Sequence, residues 1–290
     1  VIGVIALSRN KKSALFTENE LKAATLLTEF AATSIKNVMT VTDIMEHNNL
    51  IKEAEIASKI QDMLHPQKLP VLSGLSLGTI WNPEEGVCGD YYDVIVSRKD
   101  RISFVMSDVA GKGINSVVVM SMLRAMIRLV VNTKKTAGTI LEWVNHGISA
   151  ESFSTDHFAS CALINYDPVN HSAEIATGGT TPVYYYDSEA GKISKISSAS
   201  EPIGVAKDSQ YKDILQTIKS GDIIVTYTDG LVESLNENGQ QYPVDSILKI
   251  VTGNAKSSGK DIANLVKADF KKFIGSSRLH DDQSLLVIKF

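Results

Sequence analysis

The sequence has little cysteine, no excess of positive charge and no long uninterrupted hydrophobic run. Its 290 residues include only two cysteines, Cys88 and Cys161, too few for a disulfide framework or a zinc cluster. The net charge of −4 argues against a broad basic surface for a nucleic-acid backbone. The longest apolar stretch, residues 116–131, contains Arg124 and Arg128, so it predicts a buried helix and not a membrane span. These absences favour a protein of the reducing cytoplasm that binds no nucleic acid.

The N-terminal part predicts a strand followed by a long helix. Residues 1–7 have the composition of a strand whose sheet partners are missing, and because the sequence opens on Val1, we expect a fragment of a longer protein. Thr17 and Glu20 have the spacing of a capping box, which predicts the start of a helix. No Gly or Pro interrupts the pattern from there to Leu64, which predicts one long helix or two nearly continuous ones.

The second half of this helical segment has the spacing of a coiled-coil seam. Val41, Ile44, Asn48 and Ile51 follow one another at steps of three, four and three, with Asn48 where a polar residue can fix the register. We therefore expect a homodimer through this segment, although a surface helix packed on its own domain also explains so short a pattern. Three residues near the end of the helix are expected to pack onto the following domain: Ile56, Ile60 and Leu64.

From Pro66 onward the sequence predicts short strands and a few helices. The strands are expected at 75–80, 92–96, 102–106, 160–165, 173–176, 183–186, 211–218, 223–227 and 284–290, and the helices at 116–131, 139–149, 244–251 and 261–274. Few strands are joined by a helix in the alternating manner of a parallel sheet. The pattern therefore favours an α+β fold, with antiparallel sheets covered by helices.

Acidic residues stand at the ends of several apolar runs, each beside a glycine or a turn. They are Asp90, Asp108, Asp229 and the pair Asp281 and Asp282. Carboxylates at strand ends can converge on one point, and neighbouring glycines let a substrate approach the backbone. This all-oxygen environment suits Mg²⁺ or Mn²⁺. One such aspartate is commonly only a turn former, so spacing alone leaves a structural role open.

The segments around these aspartates resemble, in order, the motifs of SpoIIE-type protein phosphatases, the bacterial branch of the PPM (type 2C) serine/threonine phosphatases. The matching segments are residues 57–66, 87–93, 106–113, 221–233, 236–242 and 281–284. Separately, residues 1–38 resemble the closing strand and helix of a GAF sensor domain. Together the resemblances imply a GAF-like fragment over 1–38, a linker helix with a possible coiled coil over 39–66, and a phosphatase domain over 67–290.

The resemblance also implies an α-β-β-α sandwich with two divalent cations, Mn²⁺ or Mg²⁺, between its sheets. By motif, Asp108 is implied to bridge both ions, with Asp90 and the Val109 carbonyl on one and Asp229 and Asp281 on the other. Four further residues are candidates for supporting these ligands: Asp93, Gly111, Gly230 and Asp282. Asp93 has a purely structural role as its alternative.

Three positions depart from the family's usual residues, namely Cys88, Lys112 and Thr180, but none removes a carboxylate. Two ions would activate a water that attacks phosphorus directly, in agreement with the absence of a G-x-S-x-G or C-x₅-R nucleophile motif. His280, beside a proposed ligand, is expected to be a loop residue, with protonation of the leaving oxygen as the alternative.

The function implied by the resemblance is that of a cytoplasmic, metal-dependent protein serine/threonine phosphatase regulated by an N-terminal sensor. The implied substrate is a phosphorylated anti-sigma factor antagonist of the STAS fold, in a partner-switching circuit that controls transcription. A catalytically silent scaffold that binds a phosphoprotein is the alternative, and a small-molecule phosphoesterase is a third possibility. Retention of all the aspartates favours an enzyme.

Overall fold

A computed structural model of the chain describes residues 2–10, 15–83, 89–98, 100–111, 113–150, 158–279 and 281–290. The chain divides into two compact units, Val1–Glu53 and Ala54–Phe290. Within the residues that the structure describes, no helix is both long and apolar enough to cross a membrane.

The first unit contains the start of one long helix, α1 (Glu18–Leu64). The capping box is confirmed, because the Thr17 amide donates to the Glu20 carboxylate over 2.8 Å and the Glu20 amide donates to Thr17 Oγ1 over 3.4 Å. The segment forms one helix and not two. Residues 2–7 are exposed and pair with no strand among the described residues. Because the strand expected there has its sheet partners missing from the sequence, it stays a prediction.

The second unit is built on two antiparallel sheets of five strands each. The strands are β1 (Ser76–Asn82), β2 (Tyr91–Arg98), β3 (Arg101–Val109), β4 (Ala159–Asp167), β5 (Ser172–Gly178), β6 (Val183–Asp187), β7 (Lys192–Lys195), β8 (Ile214–Thr217), β9 (Ile223–Tyr227) and β10 (Gln283–Lys289). The first sheet has the order β1-β10-β9-β6-β7 and the second the order β2-β3-β4-β5-β8. Apolar side chains such as Phe104 and Ile164 of one sheet and Ile224 and Leu286 of the other fill the space between them.

Helices cover the outer faces of both sheets. They are α2 (Ile114–Val130), α3 (Ala137–Ala150), α4 (Asp229–Glu233), α5 (Val244–Gly253) and α6 (Gly259–Ile274). Met120 of α2 and Leu141 of α3 pack with Leu163 of the second sheet, while Ile247 of α5 and Val266 of α6 belong to the core on the first sheet. The expected α-β-β-α sandwich is therefore confirmed.

The end of α1 belongs to this second unit and packs on the core beneath α2 and α3. Ala57 and Gln61 are its buried residues, and Ile60 and Leu64 pack against the same core as expected. The expectation for Ile56 is wrong, because its side chain is 54% exposed. The buried residues of the helix, Ala57 and Gln61, each lie one position after an isoleucine of the apolar pattern.

Candidate active site

The predicted metal-binding aspartates lie at strand ends that meet at one end of the sandwich. Asp90 precedes β2, and Asp108 is the penultimate residue of β3, which pairs with β2 so that Tyr91 lies opposite Ser107. In the other sheet, Asp229 follows β9 and Asp281 precedes β10, which is the strand paired with β9. Each sheet thus brings two of the four aspartates together.

These strand ends border a cavity of about 440 Å³. Its lining residues are Gly89, Asp108, Val109, Ala110, Gly111, Phe158, Ser160, Thr180, Pro202, Asp229, Glu233, Asp281 and Asp282. Asp90 is absent from this lining and is only 3% exposed. The cavity therefore has an acidic side contributed by both sheets, and Asp90 is the most buried of the predicted carboxylate ligands.

Asp90 is held by hydrogen bonds to its side chain and to its main chain. Thr228 Oγ1 donates to Asp90 Oδ2 over 2.7 Å, and the same hydroxyl oxygen accepts from the Ser284 amide over 3.1 Å. On the backbone side, His65 Nε2 lies 3.0 Å from the Asp90 carbonyl oxygen. Asp90 is thus fixed at its carboxylate and at its main chain.

The electrostatics of the site favour the binding of cations. Burial, followed by the charges of Asp90 and Asp229, raises the pKa of Asp108 to about 9. Burial and the charge of Asp282 also raise the pKa of Asp90 well above its usual range. Divalent cations offset such repulsion and stabilise the ionised carboxylates, so this oxygen-rich donor set fits Mn²⁺ or Mg²⁺.

The described side chains are not already gathered around an ion position. Among the residues that the structure describes, no three His, Cys, Asp or Glu side chains form a group that could hold a metal ion. Simultaneous binding of one ion by Asp108, Asp229 and Asp281 therefore requires these side chains to turn toward it. All three already line the same cavity.

Two of the four supporting candidates, Gly111 and Asp282, line this cavity, and Gly230 lies against Asp282. Asp282 Oδ2 accepts from the Gly89 amide over 3.1 Å, and the Asp282 amide donates to Asp281 Oδ1 over 2.9 Å. A Cβ atom at Gly230 would stand 2.0 Å from the Asp282 carbonyl oxygen, so no larger residue fits there without a backbone shift. Gly111 has φ +95°, a conformation that residues with a side chain rarely adopt.

Asp93 lies elsewhere, buried on β2 and outside the cavity lining. Arg128 of α2 donates to it with Nε over 2.7 Å and with a terminal nitrogen over 3.0 Å, and the Tyr91 hydroxyl adds a bond of 2.6 Å. This geometry favours the structural alternative for Asp93. It also gives Arg128 an acidic partner.

Some residues at the cavity were not identified as site residues from the sequence, and three positions named in the sequence analysis lie outside the described residues. Thr228 stands inside the Thr-Asp-Gly motif, but its contact with Asp90 depends on the fold. Ser160 and Thr180 share a hydrogen bond of 3.1 Å in the cavity wall, where Thr180 was noted only as a departure from the family pattern. Three positions lie outside the described residues: Cys88, Lys112 and His280.

Comparison with known proteins gives one family and several relatives. The family model "Stage II sporulation protein E (SpoIIE)" matches residues 98–290. Phosphoserine phosphatase RsbU of Bacillus subtilis (strain 168) is 28% identical over 237 residues, which are 82% of this chain and 70% of RsbU. Phosphoserine phosphatase RsbP of the same strain is 19% identical over 188 residues, which are 64% of this chain and 46% of RsbP. The chain thus spans less than half of RsbP.

A solved structure shares the fold. The SiaA-PP2C domain of Pseudomonas aeruginosa superposes with a TM-score of 0.73 at 20% sequence identity, covering 84% of this chain and 98% of that domain. At this level of identity the similarity supports the architecture alone. It agrees with the sandwich of two antiparallel sheets described above.

Proposed function

The chain belongs to the SpoIIE family of phosphatases, and on this premise we propose that it hydrolyses phosphoserine and phosphothreonine on a protein by means of two divalent cations. The observation that carries the proposal is that Asp108, Asp229 and Asp281, from strand ends of both sheets, line one cavity. RsbU, which is named a phosphoserine phosphatase, matches 82% of this chain.

We assign the ligands as the motifs indicate. Asp108 would be shared by the two ions, Asp90 and the Val109 carbonyl would hold the first, and Asp229 and Asp281 would hold the second. The bridging role is supported by electrostatics, because the charges of Asp90 and Asp229 both raise the pKa of Asp108. Because Asp108 interacts with a ligand assigned to each ion, its side chain is the one suited to contact both ions.

The chain's own residues prepare the site for attack by water. When bound, two divalent cations lower the pKa of a water and neutralise charge on a phosphoryl group. Thr228 and Asp282 hold the backbone and side chains around Asp90, and the cavity admits the phosphoryl group. Cys161 takes no part as a nucleophile, because it is fully buried and burial raises the pKa of its thiol to about 12.

The proposed substrate is a phosphorylated STAS-domain anti-sigma factor antagonist in the cytoplasm. The proposal follows from the resemblance of the motifs, and the relatives RsbU and RsbP support its phosphoserine part through their names. The competing scaffold would bind such a phosphoprotein without turnover.

The experiment measures phosphate release from a phosphorylated STAS protein with Mn²⁺ present. Asp229→Asn should lower kcat/KM by roughly 100-fold or more, since even the partners of metal ligands contribute about 10–100-fold. Asp208→Asn, an exposed aspartate outside the cavity lining, is the matched control and should match the wild type. Substrate binding without phosphate release by the wild-type protein would favour the scaffold.

We propose that residues 1–38 are the end of a GAF-like sensor, that 39–66 form a linker, and that the phosphatase domain covers 67–290. The linker is further proposed to pair with that of a second copy. Val41, Ile44 and Ile51 of α1 are 50%, 54% and 45% exposed, although apolar helix faces are normally covered. Such a seam matches the geometry of a two-stranded coiled coil.

Light scattering tests the dimer. Ile44→Asp combined with Ile51→Asp places charges in the seam and should yield monomers, because burying unpaired carboxylates is costly. Thr42→Asp with Asn49→Asp adds the same charge outside the seam and should leave the dimer intact. An unmodified chain that is monomeric at tens of micromolar would contradict the pairing.

A further inference from the structure

A buried histidine joins the end of helix α1 to the main chain of Asp90. His65 directly follows the last residue of α1 and is 3% exposed. Its ring stacks on Trp81 with the centroids 4.2 Å apart, and the Tyr92 ring lies 5.4 Å away. Its Nε2 lies 3.0 Å from the carbonyl oxygen of Asp90.

The partner fixes the protonation of this ring. A carbonyl oxygen only accepts, so His65 Nε2 carries the hydrogen and donates it. Within the described part of the chain, Nδ1 is buried and has no hydrogen-bond partner. Among the described residues, the hydrogen bond of the ring is therefore the one to Asp90.

The helix end that carries His65 is itself anchored. Ala57 and Gln61 are the buried residues of α1, and with His65 they follow one another at steps of four on one helical face. The His65 amide continues the helical pattern by donating to the Gln61 carbonyl over 3.0 Å. The position of the imidazole is thus set by the packing of the last turns of α1.

Two contacts hold Asp90 at different atoms. Thr228 holds Oδ2 from the side of the first sheet, and His65 holds the backbone carbonyl from the side of α1. We infer that His65 is a positioning residue, which orients Asp90 for cation binding and makes that orientation depend on how the end of α1 is seated. The inference rests on the proposed function, in which Asp90 is a metal ligand.

The test compares Mn²⁺ binding by calorimetry with thermal unfolding in EDTA for variants of the complete chain. His65→Leu keeps much of the volume and loses the donor, whereas His65→Gln keeps an N–H group. Trp81→Phe removes the indole that His65 stacks on and keeps the hydrogen bond. We expect His65→Leu to raise the Kd for Mn²⁺ about 10–100-fold. His65→Gln and Trp81→Phe should stay within about threefold of the wild type.

The outcomes separate this inference from the proposed function. A Kd for His65→Leu within twofold of the wild type would overturn the positioning role. So would equal weakening by Trp81→Phe and His65→Leu with parallel losses of thermal stability, which is the signature of a packing role. Wild-type protein that binds no Mn²⁺ and releases no phosphate would overturn the proposed function itself. Weakened Mn²⁺ binding in His65→Leu alone, rescued by His65→Gln, supports the inference.

Discussion

Removing the Thr228 hydroxyl should weaken metal binding while leaving the fold in place. This hydroxyl donates to Asp90 Oδ2 over 2.7 Å and accepts from the Ser284 amide over 3.1 Å. Thr228→Val replaces it by a methyl group of nearly the same size at a position that is 1% exposed. The change therefore deletes two hydrogen bonds with little change in volume.

The magnitude follows from the charge of the acceptor. Asp90 must be ionised to bind a cation, and a hydrogen bond to a charged group contributes about 1.5–3 kcal/mol. At about 1.4 kcal/mol per factor of ten, the loss corresponds to a Kd for Mn²⁺ that is raised roughly 10–150-fold. The Ser284 amide also loses its partner, which should lower the free energy of unfolding by about 1–3 kcal/mol.

The assay is titration calorimetry with Mn²⁺, together with urea unfolding in EDTA. Thr228→Ser is the matched control, because it keeps the hydroxyl and loses only a methyl group. It should bind Mn²⁺ within about threefold of the wild type and lose about 1 kcal/mol of stability. If Thr228→Val binds Mn²⁺ as tightly as Thr228→Ser does, the hydroxyl does not hold the Asp90 carboxylate for the ion.

Two further predictions concern stability, measured by urea unfolding in EDTA. Gly230→Ala should lower the free energy of unfolding by about 3 kcal/mol, because its Cβ would meet a backbone oxygen at 2.0 Å. Gly253→Ala, with nothing within 4 Å at the end of α5, should gain up to about 1 kcal/mol, and equal effects would refute the steric argument. Arg128→Met should lower the free energy of unfolding by roughly 2–3 kcal/mol by leaving buried Asp93 without its cation, whereas Lys219→Met, from an exposed pair, should lower it by less than about 0.5 kcal/mol. Arg128→Met should keep the wild-type affinity for Mn²⁺, and loss of that affinity would show that the Asp93 pair serves the site.

Most elements of the sandwich could be predicted because their strands are apolar on both faces. β9 and β10 are covered by helices on one side and by the other sheet on the other, so they appear in the sequence as continuous apolar runs. β7 is different, because Lys192–Lys195 is an exposed edge strand with no apolar pattern. α4 has only five residues, too few to show a helical period.

The acidic motifs predicted the aspartates that lie at the cavity, but the contacts that hold these residues in place could not be predicted. The bond between Thr228 and Asp90 joins residues 138 positions apart, and no local pattern carries it. Asp93 stands in the same sequence motif as Asp90. Its structural role is indicated by its ion pair with Arg128 of α2, a contact that the motif does not show. Pairwise tertiary contacts of this kind depend on how the two sheets and their helices come together.

The most direct test of the metal centre is calorimetric titration with Mn²⁺ of the wild type and of two variants. The assignment predicts two ions per chain for the wild type. Asp229→Asn, which changes a ligand of one ion, should weaken one binding event. Asp108→Asn, which changes the shared ligand, should weaken both. A wild type that binds no Mn²⁺, or an Asp108→Asn variant that binds two ions with wild-type affinity, would contradict a two-metal site bridged by Asp108.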